Sequence, residues 1–451
     1  MYKKISLKLI PATIILIALS VIVGFSLLYS FVASIIFAMC ILHIYKFDTK
    51  KLFKESIDTV KHYSSLYITI LLIGATVSMW LSSGVIASMI YYGFNYINGI
   101  NFLFFSFIII AICSIFMGTA VGTFSTIGII LYSIGSAIGI PSNVLIGTII
   151  SGAFIADKVS PLSGLLNINI KISEIGYTKA LKDMLVTLIP VILITSLVYI
   201  VIGNKYIIGG NLDEFKLLQS SLYESYNISW YLLLFPLFII ILSTRGLNSL
   251  ITVSTGVVAG FFITILVQGY SVFETLKFLL YGFKLGSSND FLNDILKGGG
   301  ISGMIEVICI VVCAVFLVSI FDKSGIINYI IGSYVQNIKT PRELILKTAF
   351  ISTMLTVITC DQTVGIVLPA SLLKKKYDEF KISRGVLART ISDTGIITAP
   401  IYPWNINFII ITSIISCDIS FIPYAVLCYM CPIITALSSF FIRTDKTSIA
   451  S

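Results

Sequence analysis

The chain has 451 residues, of which 57% are hydrophobic and only 11% charged, and its mean hydropathy is +1.01. A soluble domain carries about 25% charged residues, so the composition excludes a chain whose whole surface faces water. The net charge of +9 does not indicate nucleic-acid binding, because the basic residues lie in short loops between apolar stretches. Stretches of about 20 apolar residues predict an all-α polytopic membrane protein.

Hydropathy predicts membrane spans along the whole chain. In chain order they cover residues 9–25, 27–45, 65–92, 102–118, 143–170, 184–203, 228–244, 247–268, 301–321, 342–373, 385–412 and 421–441. A polar loop is expected at 204–227. Three lysines precede the first apolar run, as in a signal peptide, but no cleavage site is evident and another span follows at once. We therefore interpret this run as a membrane helix.

Glycine, proline and polar residues interrupt the apolar pattern at four places. These are residues 118–128, 157–163, 359–363 and 393–403. The prolines of the second and fourth interruptions remove backbone donors and prevent regular helix. Irregular backbone survives at membrane depth only where it is buried in protein or lines a wet cavity. The interruptions therefore predict a binding site near the bilayer midplane.

Two parts of the chain resemble each other. Residues 125–131 match 362–368. Further along, Val144, Leu145 and Thr148 match Val386, Leu387 and Thr390, respectively. Pro161 then falls opposite Pro403, and Pro190 falls opposite Pro432. The separation stays between 237 (363 minus 126) and 242 (403 minus 161), which indicates duplication. We predict a first repeat at 1–203, an external connecting loop at 204–227 and a second repeat at 228–451.

The charges of equivalent loops predict opposite orientations for the two repeats. The loop 374–384 is strongly basic, whereas its counterpart 132–143 has no charge. The bias reverses after the next spans, where Lys171, Lys179 and Lys182 follow the first and Asp418 follows the second. Because cytoplasmic loops are basic, this pattern predicts an inverted-topology repeat with both termini in the cytoplasm. Residues 102–131 and 342–373 must then begin and end on one side, so the fold has about 10 spanning helices and two re-entrant hairpins with broken helices.

Three acids lie inside apolar segments: Asp157, Asp361 and Asp393. A charge at bilayer depth costs ~3 kcal/mol or more, so each needs a reason. One explanation is structural pairing of Asp157 with Lys158 and of Asp393 with Arg389, which has i,i+4 spacing. The other is a carboxylate that binds a cation when ionised and is neutralised by a proton. Glu306 is a weaker candidate, and Asp322 is interpreted as a boundary residue.

Hydroxyl and amide side chains accompany these acids. Hydroxyl oxygens are suited to bind Na⁺, and the candidates are Thr119, Thr123, Ser125, Thr126 and Thr363. Close packing of small residues in membrane helices is the alternative explanation for the Gly- and Thr-rich segment. The supporting residues of the substrate pathway are Ser160, Pro161, Ser163, Asn167, Pro403, Trp404 and Asn405.

These motifs resemble the NhaC family of Na⁺/H⁺ antiporters over nearly the whole chain. The similar segments are Gly118-Thr-x-x-Gly-Thr-x-x-Thr-x-Gly128, Ile149–Ala153 with Asp157–Ser163, Asp361-Gln-x-x-x-Ile-Val-Leu-Pro369, and Arg389-Thr-Ile-x-Asp-x-Gly395 with Ala399–Asn405. The resemblance implies exchange of Na⁺ for H⁺, or in some relatives exchange coupled to small carboxylates such as malate and lactate. The family usually has Ser-Asp-Thr-Thr-Asn where this chain has Ser163-Gly-Leu-Leu-Asn167, so one acid and two hydroxyls are missing.

The sequence therefore predicts a secondary transporter of a bacterial cytoplasmic membrane that exchanges Na⁺ or Li⁺ for H⁺. An exchanger of small organic anions on the same fold is the alternative, and a channel or a membrane enzyme is a weaker one. No cofactor is expected beyond the transported ions, with sodium bound at the midplane carboxylates. The expected partners are the lipid bilayer and small cations, or small carboxylates under the alternative. A homodimer is compatible with the sequence.

Overall fold

The computed structural model describes residues 2–93, 99–206, 212–244, 249–286, 292–293, 296–335, 338–415 and 417–441. Its first eleven helices are α1 (Tyr2–Val23), α2 (Leu27–Ile44), α3 (Thr49–His62), α4 (Ser64–Ser82), α5 (Val85–Gly93), α6 (Phe102–Met117), α7 (Ala120–Ala137), α8 (Ser142–Ala153), α9 (Ile155–Val159), α10 (Gly164–Ser173) and α11 (Tyr177–Gly203).

The second part of the chain adds eleven helices and a two-stranded antiparallel ladder. They are α12 (Leu212–Ser225), α13 (Leu234–Thr244), α14 (Ser249–Leu266), α15 (Val272–Tyr281), β1 (Phe283–Lys284), β2 (Lys297–Gly298), α16 (Met304–Lys323), α17 (Ile326–Val335), α18 (Pro341–Thr359), α19 (Gln362–Glu379), α20 (Arg384–Ile401), α21 (Ile406–Ile414) and α22 (Val426–Ser438).

Within these described ranges, seven helical segments are long and apolar enough to cross a membrane, and one of them is α8 to α10 taken together (Ser142–Ser173). The bent pair α20 and α21 counts as an eighth, with an angle of 42° between the two helices. Helix α11 shows the surface that such helices present. Its residues Ile189, Leu193, Leu197 and Val201 form one stripe and are between 53% and 66% exposed. A large apolar stripe open to the surroundings is typical of a lipid-facing helix. The prediction of an α-helical polytopic protein is confirmed.

Two segments differ from the sequence prediction. The predicted loop 204–227 contains α12, and the connection before α16 contains α15 and the β ladder. Hydropathy misses both because they are too polar or too short to span a bilayer. The single predicted span 65–92 is two helices, which meet at Gly84 with a φ of 74°.

The helix breaks are shorter than predicted. The Gly- and Thr-rich segment is irregular only at Gly118 and Thr119, and residues 124–128 form a π turn inside α7. Thr123 and Thr126 donate to the carbonyls of Thr119 and Gly122 at 2.7 and 2.8 Å, so these hydroxyls add hydrogen bonds within the helix. Asp393 likewise lies in a π turn, 392–396, and the break follows at 402–405.

The backbone breaks recur along the chain at a separation of 242 residues. Gly118 and Cys360 both end a helix in the left-handed conformation, with φ of 75° and 57°. Ser163 and Asn405 both cap the next broken helix. The sequence match of 125–131 with 362–368 has a separation of 237 and is therefore out of register by five residues. The sequence match can slip because similar small residues recur along one helix. The left-handed cap is the better marker of equivalent positions because it fixes where the helix ends.

The two sequence halves do not pack as separate units. One buried apolar cluster joins residues of α4–α11 to residues of α20–α22, and a second joins α1–α4 to α16–α21. Helix α16 packs against α2 and α3, and α14 packs against α4. Each cluster therefore depends on both halves.

Helices α6 and α8 approach closely at Gly152. The Ser114 hydroxyl donates to the Gly152 carbonyl at 3.1 Å. A Cβ atom at Gly152 would lie 2.1 Å from Ile110 Cγ2 and 2.9 Å from the backbone oxygen of Phe107. This close approach of α6 and α8 needs glycine at position 152, because part of the surface that an added Cβ would meet is backbone, which cannot move aside easily.

Gly152→Ala is expected to lower the free energy of unfolding by about 1–3 kcal/mol, the usual effect of overpacking. The measurement is equilibrium unfolding in mixed micelles with increasing sodium dodecyl sulfate. Gly176→Ala is the matched control, since no atom lies within 4 Å of its added Cβ. Equal stability of the two variants would contradict the packing described.

Candidate functional site

A buried ion pair joins the two halves of the chain. Lys158 of α9 donates through Nζ to Asp393 Oδ1, and both side chains are 0% exposed. Lys158 also donates to the Thr187 hydroxyl at 3.0 Å. Thr187 and Thr435 donate to Asp393 Oδ2 at 2.8 and 2.6 Å. The carboxylate therefore has a counter-charge and two hydroxyl partners, as a buried charge requires.

The pairs considered as the structural alternative, Asp157 with Lys158 and Asp393 with Arg389, do not form. Adjacent residues of a helix do not face each other, so Lys158 points away from Asp157. The π turn that begins at Ser392 removes Asp393 from the i,i+4 register with Arg389. The buried Arg389 instead donates to Ser438 Oγ at 3.2 Å, and its Nε has no partner among the described residues.

Asp157 is buried next to the end of the first broken helix. Its Oδ1 accepts from Ser163 Oγ at 3.1 Å, and the backbone N–H of Ala120 lies within hydrogen-bonding reach. Ala120 begins α7, so the carboxylate faces a helix N-terminus, which favours negative charge. In the described part of the chain, no lysine or arginine lies within 4 Å of it. Asp157 therefore has hydrogen-bond donors beside it but no counter-charge among the described side chains.

Asp361 caps the helix that follows the second break. Its Oδ1 accepts from the Thr363 backbone N–H at 3.1 Å and from the Thr363 hydroxyl at 3.3 Å. Tyr63 donates to Oδ2 at 3.2 Å. Tyr63 also lines an open cavity of about 390 Å³, together with Glu55, Asp58, Thr59, His62 and Lys323. The tyrosine thus lies between this cavity and the acid.

The breaks before α7 and α19 therefore each have one carboxylate at the start of the following helix. The two carboxylates come from different positions in the two halves of the chain. Thr119 and Asp361 are the caps of α7 and α19, and they are equivalent at the separation of 242. In the second half the cap itself is the acid. In the first half the cap is the neutral Thr119, and Asp157 supplies the charge from α9. The residue equivalent to Asp157 in the second half is Ala399, which has no charge.

The predicted hydroxyl ligands lie along the first turns after each break. Thr119 accepts from Gly122 N at 2.9 Å, and Ser125 donates to the Gly122 carbonyl at 3.1 Å. Thr123, Ser125 and Thr126 are buried, and their hydrogens are used within α7. What they can offer a cation is an oxygen lone pair. Thr363 contacts Asp361 directly.

The supporting residues divide into buried and exposed groups. Ser160 donates to the Ile115 carbonyl at 2.6 Å, and Ser163 contacts Asp157. Pro161 and Asn167 are exposed, and Asn167 donates to the Pro161 carbonyl. At the break between α20 and α21, Asn405 is buried and caps α21, while the half-buried Trp404 donates to the Val357 carbonyl at 2.8 Å. Pro403 is half-buried beside them.

Sequence reasoning missed Tyr63, Thr187, Gln362 and Thr435 as parts of these clusters. Gln362 links the second break to α20, because it donates to the Ile396 carbonyl at 2.7 Å and accepts from Asn407 at 3.0 Å. Thr187 and Thr435 are polar residues within apolar spans, which is the signal that could have found them. Of the weaker candidates, Glu306 is exposed and accepts from Ser26 Oγ at 2.6 Å.

The model of the Na⁺/H⁺ antiporter family matches residues 155–441. The malate-2H⁺/Na⁺-lactate antiporter of Bacillus subtilis is 28% identical over 78% of this chain and 76% of its own length. The Na⁺/H⁺ antiporter NhaC of Alkalihalophilus pseudofirmus is 27% identical over 81% of this chain and 79% of its own length. The arginine/ornithine antiporter ArcD of Halobacterium salinarum is 27% identical over 81% of this chain and 76% of its own length.

Removing one member of the Lys158–Asp393 pair should leave a buried, unpaired charge. We expect Lys158→Met and Asp393→Leu each to lower the free energy of unfolding by about 3–5 kcal/mol. The double variant should lose much less than the sum, because it buries no unpaired charge. Unfolding in mixed micelles measures all three variants.

Arg384→Gln is the control for a charge change on the surface. Arg384 pairs with Glu174 and Asp378, both exposed, so the loss should stay below about 1 kcal/mol. Strictly additive losses in the double variant of the buried pair would contradict the contact between Lys158 and Asp393.

Proposed function

Because the chain belongs to the Na⁺/H⁺ antiporter family, we propose that it exchanges Na⁺ or Li⁺ for H⁺ across a bacterial cytoplasmic membrane. The family is one of transporters, and the apolar helices make the chain a multi-pass membrane protein. The observation that supports the proposed site best is Asp157, a buried carboxylate that faces a helix N-terminus with no cationic side chain of the described residues beside it.

Coupling follows from competition for carboxylates. A carboxylate holds either a proton or a metal cation, so binding of one releases the other. At Asp157 the cation would have Ser163 Oγ within reach, with the α7 hydroxyls as neutral oxygen donors. A cation that binds Asp393 must replace the Lys158 ammonium, which makes that acid a second, more costly site. Asp361 and Thr363 form the corresponding group at the second break.

The architecture that we propose has two inverted repeats, 1–203 and 228–451, joined by an external connection at 204–227. It has about 10 spanning helices and two re-entrant hairpins, α6–α7 and α18–α19, with both termini in the cytoplasm. The recurrence of the breaks at 242 residues supports the repeat, and the opposite charge of equivalent loops supports its inversion. Motion of one group of helices against another around the breaks would give alternating access.

Exchange of small organic anions is the second candidate. Gly164 stands where the family usually has an acid, and it is exposed, with no atom within 4 Å of an added Cβ. The space next to the first break is thus less negative than in the usual pattern. A site with fewer acids accepts an anion more readily.

Na⁺ or Li⁺ added to everted vesicles should dissipate a preformed ΔpH, followed with a pH-sensitive dye between about pH 7 and 9. The cation concentration for half-maximal exchange should rise as pH falls, because protons compete for the carboxylates. Asp157→Asn and Asp361→Asn should lower the rate about tenfold or more, since each removes the charge that binds the cation.

Asp48→Asn is the matched control. Asp48 is exposed at the start of α3, where asparagine caps a helix equally well, so exchange should be unchanged. No response to either cation over the whole pH range would count against the function. Normal exchange by both site variants would count against the assigned residues and leave the function standing.

A further inference from the structure

The cavity that Tyr63 lines is bounded by α3 and the end of α16, and we call it the α3 cavity. Its volume is about 390 Å³, and each of its described wall residues carries a polar or charged group: Glu55, Asp58, Thr59, His62, Tyr63 and Lys323. A cavity of this size with polar partners holds water. In the orientation that we propose above, α3 is on the cytoplasmic side. The α3 cavity therefore offers a wet path from that side to Tyr63.

A second cavity, of about 580 Å³, lies where α4, α7 and α21 meet the β ladder. Its wall includes Lys284 and Lys297 of the ladder, and in the proposed orientation it is on the external side. No described residue of this wall hydrogen-bonds to one of the three acids. Of these two cavities, it is thus the α3 cavity whose wall contacts an acid directly.

Tyr63 lies at the joint between α3 and α4, where it ends one helix and begins the next. Helix α3 is attached to α16, because Ser319 donates to the Thr59 hydroxyl at 2.9 Å. The start of α4 is attached to the end of α3 by Tyr67, whose hydroxyl donates to the Val60 carbonyl at 3.0 Å. These contacts hold the Tyr63 ring in place, while its hydroxyl hydrogen can still turn about the C–O bond.

The oxygens of Tyr63 and Asp361 are spaced like two neighbouring ligands of one cation. Tyr63 Oη lies 3.2 Å from Asp361 Oδ2, and Thr363 holds the other carboxylate oxygen. Ca²⁺, a hard cation of about the size of Na⁺, binds oxygens at about 2.3–2.6 Å, so two oxygens at right angles on it are roughly 3.3–3.7 Å apart. A cation can therefore bridge Oη and Oδ2 with little movement once the hydroxyl hydrogen turns away and leaves a lone pair.

The surroundings of the two oxygens add negative charge. Asp322, in the last turn of α16, lies within electrostatic reach of the Tyr63 hydroxyl. Its neighbour Lys323 is exposed in the cavity wall. A hydrogen bond that only satisfies the half-buried Asp361 would explain the same contact, but such a bond gives Tyr63 no effect on the affinity for a cation.

We propose that Tyr63 is a ligand of the transported cation, which reaches Asp361 from the α3 cavity and binds between Tyr63 Oη and Asp361 Oδ2. The site joins the two halves of the chain, since the phenol comes from the first and the carboxylate from the second. This inference deepens the proposed function and rests on it for the identity of the ions, Na⁺ and Li⁺.

Tyr63→Phe removes one oxygen ligand and keeps the ring. The Na⁺ or Li⁺ concentration for half-maximal exchange should rise about tenfold, as for the loss of one hydrogen bond to a charged group, while the maximal rate stays within about twofold. The measurement is the initial rate of ΔpH dissipation in everted vesicles, whose outer face is the cytoplasmic face, as the cation concentration is raised. An unchanged or lowered half-maximal concentration would overturn the proposal.

Tyr67→Phe is the matched control. It removes the same hydroxyl from the same joint, and the bond that it breaks goes to the Val60 carbonyl instead of to an acid. Its half-maximal concentration should equal that of the wild type. If both variants raise this concentration equally, the effect belongs to the stability of the joint, and the ligand role of Tyr63 is wrong.

Direct binding separates this site from the transport function. Calorimetric titration of the purified full chain in detergent uses NaCl and LiCl, with choline chloride as the blank. Saturable Na⁺ or Li⁺ binding that weakens about tenfold in Tyr63→Phe supports the site even if the chain exchanges no cation. Absence of binding, or equal affinity in the wild type and Tyr63→Phe, overturns the site, while exchange by the wild type leaves the proposed function standing.

The route through the α3 cavity has its own test. His62 is exposed in the wall, whereas His43 is exposed at the end of α2 and does not line the cavity. A bulky, membrane-impermeant thiol reagent on everted vesicles should inhibit exchange in His62→Cys but not in His43→Cys or in the wild type, with labelling checked by peptide mass spectrometry. Full exchange by labelled His62→Cys would overturn the route.

Discussion

The contact between Lys158 and Asp393 is the interaction on which the centre of the protein depends. It joins α9 of the first half to α20 of the second, and Thr187 and Thr435, again one from each half, complete it. Two charges removed from water need each other, so the halves cannot separate at this point without a large cost. The same contact leaves Asp157 without a counter-charge among the described residues. For this reason we propose Asp157 as the acid that binds a mobile ion.

Helix breaks explain why acids are present in an apolar protein. The breaks before α7 and α19 each end one helix in a left-handed residue and start the next with N–H groups that have no partner within the helix. A carboxylate satisfies those groups and complements the helix end, as Asp361 does directly and Asp157 does from a neighbouring helix. Near the proposed cytoplasmic surface, Lys374 and Arg384 hold the pKa of Glu174 below its usual range, mainly through the Lys374 hydrogen bond. That surface contact also joins the two halves.

The two cavities of opposite character lie on opposite sides in the proposed orientation. One has Glu55 and Asp58 in its wall and leads to Tyr63 and Asp361, whereas the other has Lys284 and Lys297 and no acid among its described residues. The acids of the first wall lie on α3, and the lysines of the second wall lie on the β ladder.

The sequence by itself determined the helical membrane class, the family and the presence of three acids within apolar segments, and it predicted the repeat. These depend on composition, on 20-residue apolar stretches and on motifs, which are local properties of the chain. Only the tertiary structure decided which charges pair, because Lys158 and Asp393 are 235 residues apart and no local pattern joins them. It also decided the extent of each break and the separation of 242 residues at which the breaks recur, since left-handed caps and π turns depend on packing that small residues alone do not specify. The membrane orientation of the halves and the transported ion stay predictions, because neither is a property of internal contacts.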